Sequence, residues 1–77
     1  AARADRPSVS PNPTNGPVRI RRIEAGPGEL TVLDPMGRVR MKQRVHAQEV
    51  PLDLSSLGRG CYMITVDGMR PSRVVVH

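Results

Sequence analysis

Apolar and polar residues alternate along this chain in short bursts separated by glycine and proline. Val18 and Ile20 alternate with Arg19 and Arg21; Leu30 and Val32 share one face of a run that ends at Asp34; Val50, Leu52 and Leu54 repeat the pattern. Tyr62, Ile64 and Val66 alternate with Cys61, Met63, Thr65 and Asp67. A period of two is that of a strand with one face turned to a core. Helical spacing of three and four never appears. The stretch 53–66 organises the rest: Leu54 and Leu57 flank a Ser-Ser turn, Gly58-Arg59-Gly60 lets the backbone swing round, and the Tyr62 strand follows.

Taken in order, residues 1–7 are small and polar and read as a linker, and Ser8-Val9-Ser10 is long enough for one edge strand. Pro11-Asn12-Pro13 and the following Thr14-Asn15-Gly16-Pro17 predict a rigid polyproline-like bend with Asn15-Gly16 as a tight turn. Strands are expected over 17–23 and 29–34. Asp34-Pro35-Met36-Gly37 fits a type I turn with glycine free to form a left-handed bulge, joining that strand to one over 39–45 with Arg38 at the tip. A further strand covers 48–54, then come the Tyr62 strand, an Asp67-Gly68 hairpin signal and a last strand within 69–77. Val74-Val75-Val76 is apolar on both faces, so it should be covered on both sides or paired with something outside the chain. Seven short strands, no helix and a turn every eight to twelve residues predict an all-β, immunoglobulin-like sandwich spanning residues 8–77.

Composition narrows this. The chain has 77 residues, no Phe or Trp and a single Tyr, so its core must be built from Val, Leu, Ile and Met. Cys61 is the only cysteine and excludes an internal disulfide. The net charge is +5, with eleven arginines and one lysine. Those cations sit between apolar residues, as on the solvated face of a half-buried strand, and no basic tail or aromatic stacking platform accompanies them; nucleic acid is not an expected partner. No apolar run approaches a membrane span.

Catalytic apparatus is missing from the pattern. His46 and His77 have no nearby nucleophile in sequence, Asp34, Asp53 and Asp67 fall in separate turns, and no glycine loop links a strand to a helix in the manner of a phosphate cradle. Cys61 reads as a partly buried small residue and Tyr62 as the largest core side chain. No cofactor, metal or enzymatic activity is expected. What remains is surface and edges: the apolar last strand offers backbone donors and acceptors to a partner strand, which points to a binding or address module.

Taken together, Pro11-Asn12-Pro13, the run from Leu30 through Asp34-Pro35-Met36-Gly37-Arg38 to Val39, Leu52-Asp53-Leu54-Ser55-Ser56-Leu57, Gly60-Cys61-Tyr62-Met63-Ile64-Thr65-Val66 and the closing Arg73-Val74-Val75-Val76-His77 resemble the C-terminal sorting domain of the type IX secretion system. The resemblance covers residues 8–77. It implies an immunoglobulin-like address label on a larger N-terminal cargo, conducted from the periplasm through an outer-membrane shuttle and translocon to the cell surface. In many relatives a sortase-like cysteine protease then removes the label and attaches the cargo to an anionic lipopolysaccharide; such a cut should fall in or before residues 1–7. Carried over by position, recognition would rest on Gly37, Arg38, Leu54, Leu57, Gly60, Tyr62, Arg73, Val74, Val75, Val76 and His77. The chain departs from the family pattern at Arg59, Cys61, Arg73 and His77. When isolated, such a domain could form a strand-exchanged homodimer. The competing expectation is an accessory immunoglobulin-like module binding carbohydrate or matrix, which would want exposed aromatics.

Overall fold

The computed structural model describes residues 7–67 and 69–77. Among these residues seven strands form two antiparallel sheets: β1 (Ser8–Ser10), β2 (Pro17–Arg21), β3 (Gly28–Leu33), β4 (Val39–Val45), β5 (Glu49–Asp53), β6 (Gly60–Val66) and β7 (Ser72–Val76). The smaller sheet has the order β1-β2-β5 and the larger β4-β3-β6-β7. This is an all-β, immunoglobulin-like sandwich, as the alternation predicts. A 3-10 turn, Ser55–Leu57, interrupts the β5–β6 connection. The fourth strand pairs with the third, rather than joining the sheet of strands one, two and five as in constant-type immunoglobulin domains. The tight 34–38 turn dictates this, since it leaves no length to cross to the other sheet.

The core lies between the sheets. Val18 and Ile20 of β2 and Val50 and Leu52 of β5 face Leu30 and Val32 of β3, Tyr62, Ile64 and Val66 of β6, and Val74 and Val76 of β7, with Leu54 sealing one end. With four strands stacked on three, β4 overhangs: only Val45 is buried and Met41 partly so, whereas Val39 is 52% exposed.

The structure departs from the sequence expectations in several places. The strand expected over 17–23 stops at Arg21: the Arg22 N–H makes one more bond, to the Gln48 carbonyl at 2.8 Å, and the chain then bends, its turn held by the Arg22 guanidinium donating to the carbonyls of Ala47 (2.9 Å) and Gly26 (2.7 Å). The proline-rich segment is not polyproline-like: the Ser10-Pro11 and Asn12-Pro13 bonds are both cis. Gly68 of the expected Asp67-Gly68 hairpin lies outside the described residues; the Met69 N–H donates to the Val66 carbonyl, yet the last strand begins only at Ser72, after Pro71, which has no N–H for a ladder. Cys61 is exposed rather than partly buried, since the odd-numbered side of β6 faces outward. Residues 1–6 of the expected linker also lie outside the described residues, while Pro7 is buried and its carbonyl accepts a hydrogen bond from the Ser72 hydroxyl.

Candidate functional site

Strand register gathers nearly all the sequence-nominated residues at one end of the sandwich. Leu33 pairs with Met63 and Gly60 with Val76, so the 34–38 turn, the start of β6 and the end of β7 lie toward the same pole. Pro17 pairs with Asp53, which brings the 14–17 turn and the 54–59 loop together, and the Leu54 N–H donates to the Gly16 carbonyl at 2.8 Å. Gly37, Arg38, Leu54, Leu57, Gly60, Tyr62, Val74, Val75, Val76 and His77 belong to this pole. Arg73 sits farther along, opposite Met63. His46 follows β4 at the other end, so the two histidines do not converge.

Within the pole each segment is fixed by its own chemistry. In the 34–38 turn the Gly37 N–H donates to the Asp34 carbonyl and the Asp34 N–H to the Arg38 carbonyl, both at 2.9 Å, with Gly37 at φ 85° as the left-handed residue. Asp34 is only 4% exposed. One carboxylate oxygen accepts the Met36 and Arg38 N–H groups at 2.9 and 3.0 Å, and the other accepts Arg38 Nε at 2.9 Å with Arg40 3.7 Å away. The Arg38 N–H leads in holding this carboxyl below its ordinary range; burial pushes the other way, and the Arg38 side chain and Met36 N–H reinforce the lowering.

The 54–60 loop is built around Tyr62. Its ring is buried between the sheets, and its hydroxyl donates to the Leu57 carbonyl at 2.7 Å while standing 3.0 Å from that of Gly58. Asp53 accepts both the N–H and the hydroxyl of Ser55, and the hydroxyl leads in holding the Asp53 carboxyl low. Leu54 is fully buried and Leu57 packs partly against the core. A ring this enclosed is no platform for stacking a sugar.

The expected free edge at β7 is closed, which corrects the sequence-based view of that strand. The Asn12 side chain accepts the Val75 N–H at 3.0 Å and donates to the Arg73 carbonyl at 2.9 Å. The Thr14 N–H donates to the Val75 carbonyl and the His77 N–H to the Thr14 carbonyl, each at 2.9 Å. Residues 12–14 thus act as a surrogate strand along the outer rim of β7, with a parallel bridge between Thr14 and Val76. Thr14 is itself tied down, its hydroxyl donating to the Pro17 carbonyl and accepting the Gly16 N–H. Val74 and Val76 point into the core, and Val75 lies half-buried on the outer face next to Cys61. Sequence reasoning missed Asn12 and Thr14 as edge covers. The available signal was an Asn between two prolines: residues without N–H groups cannot extend a sheet further.

At the opposite pole a hollow of about 390 Å³ opens between Pro7, Ile23, Pro27, Val66 and Met69; its charged lining is Arg22, Glu24 and Asp67, without histidine or cysteine. Nothing in that lining pairs a nucleophile with a base.

Comparison with known proteins agrees with this architecture. The family model for the secretion system C-terminal sorting domain matches residues 8–76, from the first residue of β1 to the last of β7. A search of the curated proteins finds no match. With its matched segment coinciding with the whole sandwich, the chain belongs to the family of C-terminal sorting domains of type IX secretion.

Proposed function

We propose that the chain is read by the secretion machinery at the pole formed by the 34–38 turn, the 54–60 loop and the clamped end of β7, and that it directs an N-terminal cargo through the outer-membrane shuttle and translocon. Family membership assigns the sorting role in type IX secretion, which implies an attached N-terminal cargo and export to the cell surface or the extracellular space. The observation that carries the finer reading is the convergence of the nominated residues on one pole, where main chain and side chain are held by Asn12, Thr14, Asp34 and Tyr62. A signal read by outline needs such fixed geometry and no pocket. After passage, a sortase-like cysteine protease cuts ahead of the sandwich and joins the cargo to an anionic lipopolysaccharide.

The roles of the nominated residues separate by orientation. Leu54, Tyr62, Val74 and Val76 keep the shape, because they are buried. Gly37, Arg38, Gly60, Arg73 and His77 are exposed and Leu57 and Val75 are half-exposed, so these are the ones a receptor can touch. Deleting residues 74–77 would remove two core valines and test folding as much as recognition.

The test is a reporter fused ahead of the chain in a bacterium with a working type IX system. Arg59→Glu with His77→Glu, both exposed within the pole, should reduce surface reporter severalfold while the purified domain keeps its β-sheet circular dichroism and urea midpoint. Normal export by this folded double variant would overturn the assignment of the pole.

A further inference from the structure

Among the described residues the fold leaves one long strand edge open. Along β7 the outer rim is occupied by Asn12 and Thr14. On β5, Leu54 and Gln48 bond to β2 through Gly16 and Arg22, so Glu49, Pro51 and Asp53 face away from it, and Pro51 puts a ring where an incoming strand would need a donor. β1 has three residues and is bounded by Pro7 and Pro11. β4 has seven residues, no proline and, among the described residues, no strand on its outer side. Its phase follows from its neighbours. The Asp67 N–H donates to the Glu29 carbonyl, so Glu29, Thr31 and Leu33 turn their backbone groups toward β6, while Gly28, Leu30 and Val32 turn theirs toward β4. Their partners Met41, Gln43 and Val45 are thereby used, and Lys42 and Arg44 direct N–H and C=O away from the sheet.

The side chains along this edge decide what can bind it. Arg38, Arg40, Lys42 and Arg44 face two carboxylates: Asp34 takes Arg38 and Arg40, and Glu29 stands 3.8 Å from Lys42. The balance is positive. An antiparallel pair of β4 strands from two copies would set cations against cations, which disfavours self-association at this rim. A strand of alternating carboxylates and aliphatics would meet complementary charge on one face and the partly buried Met41 on the other.

From this we infer that β4 is a strand-addition site for an extended acidic segment of a protein partner. The open backbone groups of Lys42 and Arg44 supply the pairing, and the cations select for acidic sequence while rejecting other copies of the chain. The proposal deepens the sorting role, on which it rests for placing the partner in the secretion machinery, but the chemistry of the edge can be measured on the chain alone.

The experiment uses the 77-residue chain labelled with nitrogen-15 and two synthetic octapeptides, one alternating glutamate with valine and one alternating lysine with valine. The glutamate peptide should slow amide exchange at Lys42 and Arg44 by about tenfold or more, as expected when open strand amides become paired, and the lysine peptide should leave them unchanged. Lys42→Pro, which removes an outward N–H as Pro51 does on β5, should abolish that protection while the Leu30 and Ile64 amides keep their shifts. If that variant unfolds, Lys42→Glu with Arg44→Glu retains the backbone and should exchange the preference, binding the lysine peptide instead. Equal protection by both peptides, protection only at Val75 or Asp53, or none at saturating peptide overturns the proposal. None of these outcomes depends on whether the domain exports a cargo, so failure here leaves the sorting pole untouched.

Discussion

The side chain of Asn12 accepts the backbone N–H of Val75 at 3.0 Å, across 63 positions of sequence, and its amide nitrogen donates to the carbonyl two residues earlier, that of Arg73. One side chain thus does the work of a strand neighbour. Asn12→Ala should lower stability by about 1 kcal/mol, the net worth of exposed hydrogen bonds in water. Its sharper signature is local: exchange of the Val75 amide should accelerate far more than that of Ile64. Asn12→Asp keeps the acceptor but turns a carboxylate oxygen toward the Arg73 carbonyl, so it should fare no better than alanine. Uniform acceleration across both sheets would mean that the rim contact has no separate role.

Tyr62 joins the core to the loop that follows β5. Tyr62→Phe keeps the buried ring and removes the hydroxyl that Leu57 and Gly58 carbonyls share. A loss of about 1–2 kcal/mol is expected in urea unfolding, with exchange at Leu57 and Gly58 rising first. Tyr62→Ala should cost about 3–5 kcal/mol, because it also empties the largest side chain from a small core. Should phenylalanine prove as damaging as alanine, the ring would be misplaced.

How much of this was legible in the sequence depends on whether the deciding interaction was local. The Tyr62 strand, the β4 bounds and the 34–38 turn could be read directly, since side-chain alternation and turn geometry are set within a few residues. Asn12 and Thr14 could not be assigned to β7, because their partners lie more than sixty positions away and no periodicity records that. Cys61 reads by type as a partly buried small residue, but its parity on β6 puts it outside. The candidate site was legible as a set of residues. Its unity as one pole was not, for that depends on strand pairings such as Gly60 with Val76.

Two glycines at the pole should respond differently to the same substitution. A Cβ at Gly16 would come within 2.7 Å of the Ser55 Cβ, with Ser55 backbone atoms at 3.1 Å behind it, whereas one at Gly37 would meet nothing within 4 Å. Both have positive φ, 146° and 85°. Gly37→Ala should therefore cost about 1–2 kcal/mol, the left-handed penalty alone. Gly16→Ala should cost more than that, because the loop must also move. Gly37→Asn, which tolerates the left-handed region, should be milder still and gives a folded variant for export assays. Thermal midpoints of the three variants would check the order, and a Gly16→Ala protein as stable as Gly37→Ala would show that the 54–59 loop yields without cost.

Asp34 makes the 34–38 turn sensitive to acid. Its carboxyl is held below the ordinary value of 3.8, foremost by the Arg38 N–H. A folded-state value below the unfolded one means that folding favours the ionised form, so this contribution is fully present above about pH 4 and fades as pH falls through the folded-state value. Asp53, lowered by the Ser55 hydroxyl and N–H, acts in the same sense. Stability should therefore be flat near neutrality and decline below pH 4. Asp34→Asn keeps the shape of the side chain but loses the charge facing Arg38 and Arg40, so it should be less stable than the parent at pH 7 and should converge toward it as pH falls through the folded-state value, with a shallower acid limb left to Asp53. Urea midpoints measured at half-unit pH intervals would distinguish the two proteins; parallel curves would mean that the carboxylate is as well solvated unfolded as it is bonded in the turn.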